Sequence, residues 1–183
     1  MRGWKSPILV IPLDPPDQQN GRVALKPFVE EACAALGFLQ IERVGYLCDA
    51  IAKAENYPAK AIARDVIKDL CPDRPKGSRA PLDLRMLLTE AGSADPRYAL
   101  EQTIDRALFN RSRATHVLEF GRVAKSIAIR LELCANRNCG CAASLAMDGL
   151  TFASLDDLPL FPLPGCDKSV CRCMIIGEPV TPG

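Results

Sequence analysis

Six of the nine cysteines lie between Cys134 and Cys173, and they write one spacing twice. Cys134, Cys139 and Cys141 form C-x4-C-x-C, and Cys166, Cys171 and Cys173 repeat it. Two identical triplets in one short region point to a shared physical demand, in which thiolates from two chain segments converge on one centre. In C-x-C the intervening residue lets both sulfurs point to one side of a tight turn. Gly140, between Cys139 and Cys141, relaxes the backbone there. Arg172, inside the second C-x-C, places a cation beside thiolate charge.

What such a cluster does depends on compartment. The N-terminal stretch SPILVIPL is apolar but short, broken by Pro7 and Pro12, and lacks the h-region and cleavage site of a signal peptide. No segment approaches the ~18 consecutive apolar residues of a membrane span. A cytoplasmic protein without membrane association is therefore expected, and in reducing surroundings clustered thiols serve as a metal or reactive site more often than as disulfides.

Zinc is the leading ion, because all-thiolate tetrahedral sites are common for structural zinc and leave no position for water. Four thiolates suffice for one zinc, and six can hold two through bridging sulfurs. An iron–sulfur cluster is the runner-up, although the plant-type ferredoxin spacing C-x4-C-x2-C differs from the spacing here. Copper(I), disulfides or no metal are the lesser alternatives.

The segment between the triplets has the punctuation of a compact module. MDGLTF reads as a turn at Asp148–Gly149 and a short strand, LPLFPLPG supplies a proline-stiffened return, and MIIG forms a closing strand. Cys141, Gly149, Phe152, the LPLFPLPGC return and Cys171-Arg172-Cys173 together resemble a short cysteine module found in small uncharacterised bacterial proteins. More loosely, the order is similar to the C-terminal metal-binding tail of phage head-morphogenesis proteins, whose His-Pro-Asn before Cys-Arg-Cys is replaced here by a stretch without histidine. The likeness covers about 135–175. It implies that Cys141, Cys166, Cys171 and Cys173 are the first four ligands, with Cys134 and Cys139 completing a larger site or backing up the first.

Upstream, the chain reads as helices. Residues 1–26 carry four prolines and form an extended arm, with a short strand at Ile8–Ile11. PFVEEACAALG places Pro27 at a helix start, Phe28, Ala32, Ala35 and Leu36 on one face, and Gly37 as the stop. QIERVGYLCDAIAKAEN stripes Ile41, Val44, Cys48 and Ile51, and PAKAIARDVIKDLCP stripes Ile62, Ala63, Val66, Ile67 and Leu70. DRPKGSRAP is a loop, and PLDLRMLLTEAG a short helix ending at Gly92. A further helix follows Asp95 as cap and Pro96, with Leu100, Ile104, Ala107 and Leu108 inward. Beyond it the pattern fits helix or strand; a helix to about Lys125 and a strand over 127–133 are favoured. The fold class is thus mainly α: a helical domain at 27–126, then a small β-containing, zinc-knuckle-like thiolate module at 127–183.

Chemistry outside the cysteines is sparse. The single histidine, His116, has no partner evident in sequence, and Cys33, Cys48 and Cys71 stand in helices at no ligand spacing, as core thiols do. There is no G-x-S-x-G, no phosphate-cradling glycine loop and no H-E-x-x-H. Arg106, Arg111, Arg113, Arg122, Lys125 and Arg130 make a locally basic stretch suited to nucleic acid or an acidic partner. Against that stands a net charge of only +1, where nucleic-acid binders normally show a basic excess. The favoured function is a non-enzymatic adaptor or assembly subunit that binds another protein, with enzymatic activity left open. The alternatives are a nucleic-acid-binding regulator and an iron–sulfur redox or sensing protein.

Overall fold

The computed structural model describes residues 23–54, 57–70, 83–125, 128–135, 141–159 and 161–180. The expected strand at Ile8–Ile11, the loop after Pro72, Cys71 and the Cys139–Gly140 turn lie outside these residues. The chain divides into two compact units, residues 25–108 and residues 109–183 with 1–24, and the division falls inside one long helix. The expected boundary at 126 instead follows that helix to its end.

In the first unit, α1 (Lys26–Leu36) opens with a proline in its first turn, which loses no helical hydrogen bond there. It buries Phe28, Val29, Ala32 and Cys33 and ends at Gly37, whose φ of 66° is the left-handed value that favours glycine. A 3-10 turn at Ile41–Arg43 leads into α2 (Val44–Lys53), which buries Val44, Leu47 and Ile51. The inward stripe thus passes through Leu47, and Ile41, expected to be inward, is exposed. The 3-10 turn has about three residues per turn, so a residue in it falls out of phase with the helix that follows. Helix α3 (Ala59–Leu70) buries Ile62, Ala63, Val66 and Leu70 of its predicted stripe, while Ile67 is only half-buried.

The short helix expected up to Gly92 is two helices, α4 (Leu84–Leu87) and α5 (Glu90–Ala94). They part at Leu88, which pairs with Leu39 in an antiparallel bridge. Thr89 then donates its N–H to the Phe38 carbonyl at 2.9 Å and caps α5 by accepting from the Gly92 N–H. Gly92 sits inside α5 rather than after it. A β-carbon there would lie 2.1 Å from the Phe38 carbonyl oxygen, so the position demands glycine for close approach.

Helix α6 (Pro96–Val123) starts at Asp95, whose carboxylate accepts from the Tyr98 N–H at 3.0 Å. Its first half buries Ala99, Leu100, Ile104 and Ala107 in the helical unit. The second unit begins at Phe109. After α6 come β1 (Ile129–Cys134), α7 (Ala142–Ala146), β2 (Thr151–Phe152), a 3-10 turn at Leu155–Asp157 and β3 (Met174–Pro179). Both β2 and β3 pair antiparallel with β1, giving the order β2-β1-β3. Period-two alternation sends Leu131 and Leu133 inward and leaves Cys134 exposed. The core joins them to Leu163, Cys171, Cys173 and Ile175, with Phe120, Phe152, Phe161 and Cys166 packed against it. Gly149, at φ 80°, makes the expected turn and donates its N–H to the Leu133 carbonyl.

Candidate metal centre

Three local structures deliver the thiols of the C-terminal unit. Cys141 is the residue on which α7 starts, Cys166 follows the left-handed turn at Gly165, and Cys171 and Cys173 precede β3. The Cys166 N–H donates to the Leu163 carbonyl at 2.9 Å, which closes that turn. Cys141, Cys171 and Cys173 are buried and Cys166 is half-buried.

These four sulfurs meet one another in pairs. Cys166 and Cys141 act on one another, as do Cys173 and Cys171, while Cys171 also bears electrostatically on Cys166. Ser144 joins the two pairs: its hydroxyl donates to the Cys141 carbonyl at 2.9 Å and lies beside the sulfurs of both Cys141 and Cys173. Among the described residues, no group of three or more His, Cys, Asp or Glu side chains is placed to hold a metal ion. The arrangement is one of thiol pairs within mutual reach.

The electrostatics of the pairs are unequal. Burial raises Cys141, but the Ser144 N–H and hydroxyl, the Cys166 thiol and the Ala143 N–H outweigh it and leave this thiol below its ordinary range. Burial raises Cys166 well above it, with Cys171 and Cys141 adding to the effect against the Lys168 N–H. Cys173 is likewise raised, first by burial and then by Cys171, while Ser144 and Arg113 oppose the rise. Cys141 is thus shifted down while Cys166 and Cys173 are shifted up.

Arg113 reaches this cluster from α6. Its Nε donates to the Cys173 carbonyl at 3.0 Å and its Nη2 to the Cys171 carbonyl at 2.5 Å. The guanidinium lies 4.1 Å from the Phe161 ring centre and 5.1 Å from that of Phe109, and Arg172 approaches the Phe109 ring at 5.2 Å. Burial lowers the Arg113 pKa, against the pull of Cys171, Cys173 and Cys166.

The predicted site residues therefore separate. Cys141 and Cys166, and Cys171 and Cys173, neighbour one another in pairs without forming a group placed to hold a metal ion; Cys134 ends β1 exposed, opposite Met174; Cys139 lies outside the described residues. Of the basic stretch, Arg106 is buried against Glu31 and Arg113 is buried at the thiols. Arg111 donates to the Val23 carbonyl at 2.7 Å, and Arg130 pairs with Glu178 at 2.5 Å. Arg122 and Lys125 are exposed, and His116 is half-buried on α6. Sequence reasoning missed Ser144 and the role of Arg113. The signals for them are faint: Ser144 stands three residues after Cys141, and Arg113 one helical turn after Phe109.

In the helical unit, α2 and α3 border an open cleft of about 440 Å³ whose lining includes Tyr46, Asp49, Lys53, Tyr57, Asp65 and Asp69. Among the described residues no helix is long and apolar enough to cross a membrane. Comparison with protein-family models, with curated proteins and with solved structures finds no match to this chain.

Proposed function

We propose that the protein is a non-enzymatic adaptor or assembly subunit whose C-terminal unit is held by a structural zinc ion on Cys141, Cys166, Cys171 and Cys173. What supports this reading is that Cys166 neighbours Cys141, and Cys171 neighbours Cys173, with the four cysteines coming from three separate chain segments and Ser144 beside Cys141 and Cys173. Their chemistry fits the ion, because four thiolates complete a tetrahedral zinc site and leave no open position for substrate or water. Such an ion contributes folding energy to a unit whose sheet, among the described residues, has three strands.

Four sulfurs also favour one ion over two, since Cys134 faces away from the group. Contacts to a protein partner would use the helical unit, where Tyr57, Tyr98 and Met86 are exposed. Aromatic and methionine side chains of this kind are enriched at interfaces. A nucleic-acid surface is less well supported, because Arg106 and Arg113 are engaged inside the protein.

The test is elemental analysis and absorbance of the full chain purified without oxygen. One zinc per chain and no visible colour is the expected result. Iron with sulfide and a brown colour would replace the structural reading with a redox or sensing one, and absence of stoichiometric metal would remove the centre altogether. Capture of a defined protein partner that is insensitive to salt would separate adaptor from nucleic-acid binder, whose affinity falls steeply with salt.

A further inference from the structure

Helices α2 and α3 leave an open groove of about 440 Å³ between them, within the range of about 300–1,000 Å³ in which ligand clefts fall. Helical spacing builds it. Tyr46, Asp49 and Lys53 stand three and four residues apart on α2, as do Ile62, Asp65 and Asp69 on α3, so each helix turns one continuous face to the groove. The lining runs for about two turns, or about 10–12 Å, along each helix. A groove of that length takes a short chain segment.

The lining chooses the occupant by its chemistry. Ala50, Ala54, Ile62 and Val66 supply an apolar strip. Asp49, Asp65 and Asp69 join it, and Lys53 is the one cation among the described lining residues. This is a local acidic excess on a chain whose net charge is +1. Phosphates of nucleic acid or of an anionic lipid surface are repelled by it. A bare divalent ion does not suit it either, because among the described residues no group of three or more His, Cys, Asp or Glu is placed to hold one. Carboxylates strung along a groove suit cations carried on a chain.

Arginine fits better than lysine. Tyr46 and Tyr57 add aromatic rings to the same lining, and Tyr57 is 63% exposed. A guanidinium stacks on such rings while its planar fork reaches a carboxylate. Asp65 already pairs with a guanidinium, that of Arg64 at 3.5 Å, with both side chains exposed. A surface pair of this kind is weak enough to exchange for an incoming arginine.

We infer that the groove between α2 and α3 docks a short, arginine-bearing segment of a protein partner, with its apolar side chains on the Ile62–Val66 strip and its guanidinium groups on Asp49, Asp65 and the tyrosine rings. This rests on the adaptor reading above and adds the chemistry of the partner.

Nitrogen-15 NMR of the full chain tests it, titrated with a short acetylated peptide that carries arginine and leucine at helical spacing. A matched peptide with glutamate in place of arginine is the control. Amide shifts confined to residues 46–54 and 62–69 are expected with the arginine peptide, and none with the glutamate peptide. Asp49→Asn combined with Asp65→Asn should weaken binding about 3- to 30-fold, the range that two exposed ion pairs supply. Tyr57→Ala should weaken it about 2- to 5-fold, as loss of an exposed cation–aromatic contact does.

Absence of shifts in the groove, equal shifts with the glutamate peptide, or unchanged affinity in the folded double variant would each overturn the inference. Should the double variant fail to fold, the glutamate peptide and Tyr57→Ala decide. A defined protein partner held equally by wild type and double variant would keep the adaptor reading and overturn the groove as its docking site.

Discussion

Arg106 and Glu31 form a buried ion pair between α6 and α1, with Nε of Arg106 at 3.1 Å from both carboxylate oxygens. Their side chains are only 8% and 9% exposed, so neither charge is left to water. Removing one partner takes this buried two-oxygen contact from the other. Glu31→Ala should therefore cost about 3–5 kcal/mol, whereas Glu31→Leu combined with Arg106→Met should recover much of the loss. Urea unfolding followed by helical circular dichroism checks both. A single-variant cost under ~1 kcal/mol would mean that the pair behaves as a solvated surface bridge.

The contact between Gly92 and Phe38 leads to a second prediction. A β-carbon at position 92 meets the Phe38 carbonyl oxygen at 2.1 Å and its carbon at 3.0 Å, both of them backbone atoms. Backbone cannot swing aside as a side chain can. Gly92→Ala should thus destabilise the helical unit by about 1–3 kcal/mol despite alanine's better helix propensity. A thermal scan in which this variant melts at or above the wild-type temperature would show that α5 shifts freely.

Cys33 carries a pH prediction. It is 3% exposed on α1. Burial first, then Cys48, Glu30 and Glu31, push its thiol up to about 12 from 9.0. The unfolded chain releases this proton near the ordinary value while the folded chain keeps it. The stabilisation is thus complete below about 9 and is lost as pH rises towards about 12. Within that window the folding constant should fall roughly tenfold per pH unit from this group. Comparing wild type with Cys33→Ala by urea unfolding from pH 8 to 11 isolates it, since other groups titrate in both. Parallel curves would mean that the thiol ionises as freely folded as unfolded.

How much of this was legible in the sequence varies by element. The stripe of α3 could be read because Ile62, Ala63, Val66 and Leu70 sit among charged residues, so only one phase buries apolar area. In α2 both Leu47 and Cys48 fit the spacing, and the bulkier leucine takes the core. Helix α7 was not foreseen: five residues with alanine, serine and leucine carry no periodicity, and the local start at Cys141 decides the structure. Cys141, Cys166, Cys171 and Cys173 are singled out by the resemblance, not by spacing, which treats Cys134 and Cys166 alike. Strand alternation breaks that equivalence by turning Leu133 inward and Cys134 out. Arg113 looked like one of a basic run because charge along a sequence does not reveal which face of a helix is covered.

That broken equivalence is also the sharpest test of the site. If Cys141, Cys166, Cys171 and Cys173 are the ligands, changing any one to serine removes a strong thiolate donor from a closed site and should take zinc from one per chain to a small fraction of that. The C-terminal unit should then loosen, while the helical circular dichroism of the first unit is largely kept. Cys134→Ser, at an exposed position, should retain its zinc and alter stability by no more than about 0.5 kcal/mol. Zinc content and thermal scans of the five variants, prepared identically, give the comparison. Loss of zinc in Cys134→Ser to the same extent as in the others would replace the four-sulfur site with a six-cysteine, two-zinc one. Retention of zinc and stability in both Cys171→Ser and Cys173→Ser would mean that the paired thiols are core packing and hold no ion.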